Sequence, residues 1–403
     1  MTTPSTKPTR STKPTPSSPA GRREQPSARR PAGQPHSRRI SRSEPRRAAS
    51  PDLVAALAAR LTGRDRWLLA MVAEHRVLTT GHLAALGFAG RRQAERRLAQ
   101  LWSWRCVDRF RPFTPLGAGS APYHWVLDDA GAAILAAHHG IDIRELGYHR
   151  ATALAVAHSE HLRHAIGTNT LLTALAADDP ATAGSAGWLV GWWGERRCAA
   201  AWGDLARPDA AAIWITPSPA APNSGAAGSA APSSVGSART APAAPAGITS
   251  RMGVPVGFAV EYDTGSEPLS RVAGKLADYA DLAAAAGAVL PVLFWLPSVD
   301  RETALHRQLD ATGLLVATAA ADHAARAGGP VGPVWRPARP GARARPHARV
   351  TLDQLTAAWA TAGTMPVTLP ASMVDLGLAW PAPDPRPPAG DPADGRPGAA
   401  PVR

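Results

Sequence analysis

Lysine is almost missing from this chain. Of its 44 Lys+Arg residues, only Lys7, Lys13 and Lys275 are lysine, and the first two fall in a segment with almost no large apolar side chains. Cysteine is as scarce. Cys106 and Cys198 stand alone, which excludes a disulfide framework and a CxxC metal pair and suits a reducing cytosol. Long hydrophobic runs are lacking too: the longest, Leu282 to Leu296, is broken by Gly287 and Pro291 and is too short to span a bilayer. The first 50 residues have none of the apolar stretch of a signal peptide. These absences predict a cytoplasmic protein without membrane attachment.

What is present is positive charge, unevenly placed. Of the net +13, residues 1–50 carry 12 Lys+Arg against Glu24 and Glu44, and residues 51–111 carry 11 Arg against 5 acids, while the remainder is slightly acidic. Clustered cations gain from contact with a polyanion through counterion release. Nucleic acid is therefore the expected partner, with a merely solubilising tail as the plainer alternative. Residues 1–50, rich in Ser, Thr, Pro and Arg, cannot bury enough apolar surface to offset the entropy of ordering and are predicted to be disordered.

From Leu53 the pattern turns helical. "RDRWLLAMVAEHR" (64–76) sets Trp67, Leu68, Met71 and Val72 on one stripe. "LTTGHLAALGF" (78–88) is short and opens on Thr79 or Thr80 as its cap, and "GRRQAERRLAQLWSWR" (90–105) turns Leu98, Leu101 and Trp102 inward with arginines outward. "CVDRFRP" and "PYHWVLD" then alternate with period two around "FTPLGAGSA", which reads as a hairpin. Helix, short helix, basic helix and hairpin is the order of a winged helix-turn-helix, expected over residues 51–148. Between Arg91 and Arg111 there are seven arginines and two acids. Arg91, Arg92, Gln93, Arg96, Arg97, Arg105, Arg109 and Arg111 are the expected contacts to double-stranded DNA, more of them to phosphate than to base edges.

Residues 149–320 read as an α/β sheet domain: a long helix over Ala151 to Ala177, strand-like runs "GWLVGWWGERRCAAAW", "PDAAAIWI", "VGFAVEYD" and "AVLPVLFWLP", helices near 268–286 and 300–312, and a last strand in "GLLVATAA" (313–320). The Ala/Pro/Ser/Gly stretch 217–253 is predicted to be a flexible insertion. Residues 321–380 form an extension and 381–403 a disordered Pro-rich tail. If "GFAVEYD" is a strand, Glu261 and Asp263 share a face, and Lys275 follows on the next helix, whose cap is expected at Thr264 or Ser266 with Pro268 in the first turn. Asp209 and Glu195 enter from neighbouring runs. Such carboxylates can meet on one Mg²⁺ while a compact ammonium stabilises developing charge; a structural ion-pair cluster at the sheet edge is the alternative.

The chain resembles the replication-relaxation family of actinobacterial plasmids and mobile elements. The resemblance rests on "LTGRDRWLLAMVAEHRVLTTGHLAALGF", "RRLAQLW", "VDRFRP", "PYHWVLDDAGAAIL", "HLRHAIGTNTLL", "GWWGERRCA", "RPDA", "PVLFWLPS" and above all "EYDTGSEPLSRVAGKLADYA". It implies a winged-helix DNA-binding protein in plasmid replication, DNA relaxation or transfer, with replication or conjugative transfer proteins as possible partners. The second half also resembles the PD-(D/E)XK nuclease-like fold. That likeness implies Asp209 as its aspartate, Glu261 as its strand glutamate, Glu195 as an additional acid and Lys275 as a lysine migrated onto the helix, because Asp263 stands where the pattern has lysine. The implied catalytic set is Asp209, Glu261, Asp263 and Lys275, and the implied Mg²⁺ ligands are Glu195, Asp209 and Glu261. A possible metal-dependent DNA nickase follows. The other reading is a winged-helix transcriptional regulator whose second domain is inactive and binds a ligand or partner. His158, His161 and His164 recur every three residues but drift over too wide an arc to share a metal; they read as a polar helix face.

Overall fold

The computed structural model describes residues 49–112, 119–159, 161–178, 186–217, 253–309, 313–338, 348–362 and 381–388. The basic tail 1–48 and most of the insertion expected at 217–253 lie outside the described residues.

The amino-terminal part begins with α1 (Pro51–Ala58) and α2 (Gly63–His75). A reciprocal cap starts α2: Thr62 Oγ1 accepts from Asp65 N–H at 3.2 Å and Asp65 accepts from Thr62 N–H at 2.8 Å, satisfying two otherwise orphaned donors. A two-residue strand, β1 (Leu78–Thr79), leads into α3 (Thr80–Gly87), and α4 (Arg91–Ser103) follows. The hydroxyl of Thr79 caps α3. In α4, Ala94, Leu98 and Leu101 are buried at helical spacing, so Arg91, Arg92 and Arg96 face outward. Strands β2 (Val107–Phe110) and β3 (His124–Leu127) pair antiparallel, with Val107 opposite Leu127, and β1 joins the free edge of β3. Helix α5 (Asp129–His139) closes this part and stops at Gly140, whose φ of 67° suits glycine.

The long helix expected over 151–177 is interrupted. It splits into α6 (Arg150–Ala155), a 3-10 turn at Val156–His158 and α7 (Leu162–Ala177). Ser159 takes an extended backbone and its hydroxyl accepts from His161 N–H at 3.1 Å, a local bond that competes with the helical ladder.

The sheet has six strands: β4 (Trp188–Gly194), β5 (Ala210–Pro217), β6 (Gly253–Tyr262), β7 (Val292–Leu296), β8 (Val316–Ala320) and β9 (Arg336–Ala338), adjacent in that order. β4, β5 and β6 are antiparallel, β6, β7 and β8 parallel, and β9 antiparallel again. The parallel steps use crossover helices, α9 (Leu269–Ala286) and α10 (Val299–His306), as parallel pairing requires. The strand expected through "GERRCAAAW" ends at Gly194: α8 (Glu195–Trp202) takes over, where the alternation gives way to an Ala-rich, helix-favouring run. Two short helices complete the order, α11 (Ala321–Ala324) and α12 (Leu352–Thr361).

Strand alternation sorts the core. Val256, Phe258 and Val260 of β6 belong to one apolar cluster, which also holds Leu68 and Leu69 of α2, Leu172 of α7 and Trp359 of α12. Ala259 belongs to the other, with Val272, Leu276 and Tyr279 of α9. The first cluster runs without a break from α1 to α12. A buried ion pair reinforces it: Arg197 Nη2 of α8 donates to Glu74 Oε2 of α2 at 2.6 Å, and Glu74 Oε1 accepts from Gly194 N–H at 3.0 Å. Trp192, Trp193 and Trp214 of the sheet are fully buried. Trp67 donates its indole N–H to the Asp384 carbonyl at 2.7 Å, so residues 381–388 lie against the amino-terminal part.

Candidate functional site

Asp209 stands one residue before the Ala210–Val260 pair of the β5–β6 ladder, and Glu261 one residue after it. Period-two alternation puts Glu261 on the face of Ala259, hence toward α9. There Lys275 Nζ donates to Glu261 Oε2 at 2.5 Å and Tyr279 OH donates to Oε1 at 2.6 Å. Lys275 and Tyr279 are one helical turn apart, so both reach the same carboxylate. Asp209 is held from two other directions: its Oδ2 accepts from Tyr262 N–H at 2.7 Å, and its Oδ1 lies 2.8 Å from His164 Nε2 of α7. Gly167 of α7 makes this approach possible, since a Cβ there would sit 2.2 Å from the Tyr262 ring.

The electrostatics follow from burial. Glu261 is 3% exposed. Desolvation, and then the charge of Asp209, push its carboxyl up to about 8 despite the opposing pull of Lys275 and Tyr279. For Lys275, desolvation works against the charge, but Glu261 and Asp209 outweigh it and hold the ammonium above its usual range. Lys275 is thus a fixed cation, and burial has not lowered its pKa in the way that suits a lysine base. In His164 burial is likewise outweighed by Asp209, which raises the imidazole above its ordinary value.

Not every expected residue joins this group. Asp263 lies just past the end of β6, where Arg301 of α10 binds both its oxygens and Gly265 N–H donates to Oδ1 at 2.8 Å; it is engaged with α10 rather than with Lys275. Glu195 opens α8 and lines the same cavity of about 1110 Å³ as Asp209, Glu261 and Lys275. Among the described residues, however, no three His, Cys, Asp or Glu side chains stand close enough to hold a metal ion, so the expected trio of Glu195, Asp209 and Glu261 is not brought together. His164 was missed because helical spacing separates it from His158 and His161; its partner comes from the sheet. Tyr279 was missed although it stands at i+4 from Lys275.

The eight expected contacts to DNA divide in the same way. Arg97 binds Asp65 with two nitrogens, one at 2.7 Å, and Asp65 is 1% exposed. Arg105 reaches Asp129 at 3.1 Å. Both arginines hold the fold together. Arg91 pairs with Glu95 at 2.9 Å on the exposed face of α4, beside Arg92, Gln93 and Arg96. Arg109 lies 4.1 Å from the ring centroids of both Trp102 and Tyr123, and Arg111 lies 3.7 Å from the Tyr123 centroid, so guanidinium groups stack on the rings where α4 meets the hairpin.

The model of the family described as Replication-relaxation matches residues 69–292, more than half the chain. The chain belongs to the replication-relaxation family. No curated protein and no solved structure matches it. Membership of the replication-relaxation family supports a role in plasmid or mobile-element replication or relaxation, with DNA or replication-related partners. The matched stretch contains α4, the hairpin and the whole Asp209–Glu261–Lys275 group. No helix among the described residues is long and apolar enough to cross a membrane.

Proposed function

We propose that this family member is a DNA-binding protein of plasmid or mobile-element replication, relaxation or transfer, and that its sheet carries a Mg²⁺-dependent phosphodiester-cleaving site. The observation that carries the reading is the meeting of Asp209 and Glu261, from adjacent strands, with the single lysine of the described chain. The order α7, β4, α8, β5, β6, α9, β7, with one acid just before β5 and the other on β6, supports the PD-(D/E)XK likeness. The donor set fits one Mg²⁺, because that ion is content with one or two carboxylates plus water and phosphate oxygens; Asp209 and Glu261 would hold it, and it would supply a polarised water and charge neutralisation at a phosphate. Tyr279 and Tyr262 fix the orientation of the two carboxylates. Lys275 presents a permanent positive charge where a pentacovalent phosphorus would build negative charge.

The amino-terminal part is read as a winged helix, with α3 and α4 as its helix-turn-helix and β2–β3 as its wing. Arg92, Arg96, Arg109 and Arg111 are its contacts to duplex DNA. The regulator with an inactive second domain keeps one observation in its favour: all four oxygens of Asp209 and Glu261 already have protein partners. Immunoprecipitation of the chain from cells carrying a mobile element separates the two. Enrichment at one origin is expected, and scattered promoters would support the regulator.

A further inference from the structure

The cavity holds polar groups that the carboxylate pair does not use. Where α2 ends, Val77 N–H donates to the His75 carbonyl at 2.6 Å, with Arg76 between them at φ 63° and ψ −40°. This is a γ-turn with positive φ, a strained conformation for a side chain bearing Cβ. Asn169 of α7 clamps it, its amide donating to the His75 and Val77 carbonyls at 3.3 and 2.8 Å. The turn sets Arg76 on the cavity wall, and among the described residues no acid pairs with its guanidinium.

His75 borders the same cavity and is 5% exposed. Its ring stacks on Trp192 at 3.8 Å, yet neither ring nitrogen has a hydrogen-bond partner. Buried polar atoms are nearly always paired, so this edge is short of a ligand. The amino terminus of α7 faces the cavity as well, with no side-chain cap at His161 and with Arg163 exposed in its first turn. Its free N–H groups and dipole favour an anion.

We infer that this wall binds the phosphodiester backbone of an unpaired nucleic-acid strand, with Arg76, Arg163 and the α7 terminus on a phosphate beside the unpaired His75 ring. The inference rests on the proposed cleavage reading in taking this phosphate as a neighbour of the one presented to Asp209 and Glu261. An unpaired strand fits better than a duplex. Glu261, which lines the cavity, is nearly inaccessible, and Pro112 and His124 of the hairpin line it as well. At about 1110 Å³ the space slightly exceeds the ~300–1,000 Å³ that encloses a drug-sized ligand. That admits a few nucleotides of one strand and not two paired strands.

The test is fluorescence anisotropy with one labelled oligonucleotide, single-stranded or annealed, in EDTA so that cleavage cannot contribute. Arg76→Gly suits the positive φ and Arg163→Gln lies on an exposed position, so the double variant keeps its fold. It is expected to bind the single strand about tenfold more weakly, with a salt slope shallower by about 1.4 for two lost phosphate contacts. Duplex affinity, carried by α4 and the hairpin, should be unchanged. Equal single-strand affinity and slope in wild type and variant would overturn the site, as would an equal loss for both substrates. A wild type that binds the strand in this way but nicks nothing supports the site and overturns the cleavage reading alone.

Discussion

His82 should make the stability of this protein depend on pH in a way that one substitution reveals. Its Nδ1 accepts from Thr79 N–H at 3.3 Å, completing the cap of α3, and its Nε2 lies 2.9 Å from Thr170 Oγ1. Because the Thr170 hydroxyl lies 2.7 Å from the Ile166 carbonyl, to which it donates, Nε2 carries the hydrogen and Nδ1 must stay unprotonated. Burial, with a smaller contribution from His124, lowers the imidazole from 6.5 to about 4. Above pH 6.5 neither state binds the proton. As the pH falls from 6.5 toward 4 the unfolded chain takes it up and the folded chain does not, so stability is lost at about 1.4 kcal/mol per pH unit. Between pH 7.5 and 5.0 the loss is about 2 kcal/mol.

The whole-protein curve does not isolate this effect. His75, also held at about 4 by burial, acts in the same direction, while Glu261, raised to about 8, gains stability as the pH falls from 8 toward 4.5. His82→Gln removes the titration and keeps an acceptor for the Thr79 N–H. Urea unfolding of both proteins at pH 7.5 and 5.0 gives the answer: the stability of His82→Gln relative to wild type should rise by about 2 kcal/mol on acidification. An unchanged difference at the two pH values would refute the buried neutral imidazole.

Arg197→Met should cost about 3–5 kcal/mol, because it leaves the Glu74 carboxylate buried without its partner; thermal unfolding should show one cooperative transition at lower temperature. Substitutions at three arginines of one helix should separate stability from binding. Arg97→Gln should lower stability by about 3 kcal/mol through the loss of Asp65's partner. Arg92→Gln with Arg96→Gln should leave stability within about 0.5 kcal/mol and reduce the salt slope of duplex binding by about 2. Denaturant melts and anisotropy read the two effects separately.

Local patterns exposed much of this architecture in the sequence. The stripe of Leu98 and Leu101, the alternation of "VGFAVEYD" and the solitary Lys275 each depend on neighbours within a few residues, and α4, β6 and the Glu261–Lys275 contact follow from them. What escaped depends on distant partners. Nothing near Arg97 announces Asp65, thirty-two residues earlier, and nothing near Asp263 announces Arg301 on α10. The pairing of His164 with Asp209 needs α7 to lie against the end of β5, a tertiary fact. The break before α7 was local, at Ser159, but an Ala/Leu-rich background concealed it.

Relaxed circles from supercoiled plasmid test the account most directly. With Mg²⁺ present, wild-type protein should nick the plasmid. Asp209→Asn, Glu261→Gln and Lys275→Met should each lower the rate at least about a hundredfold, the scale of losing one preorganised charge at a reacting centre, while still binding duplex with wild-type affinity. Nicking that survives all three substitutions, or a wild type that leaves the plasmid supercoiled whatever the divalent ion, would contradict it.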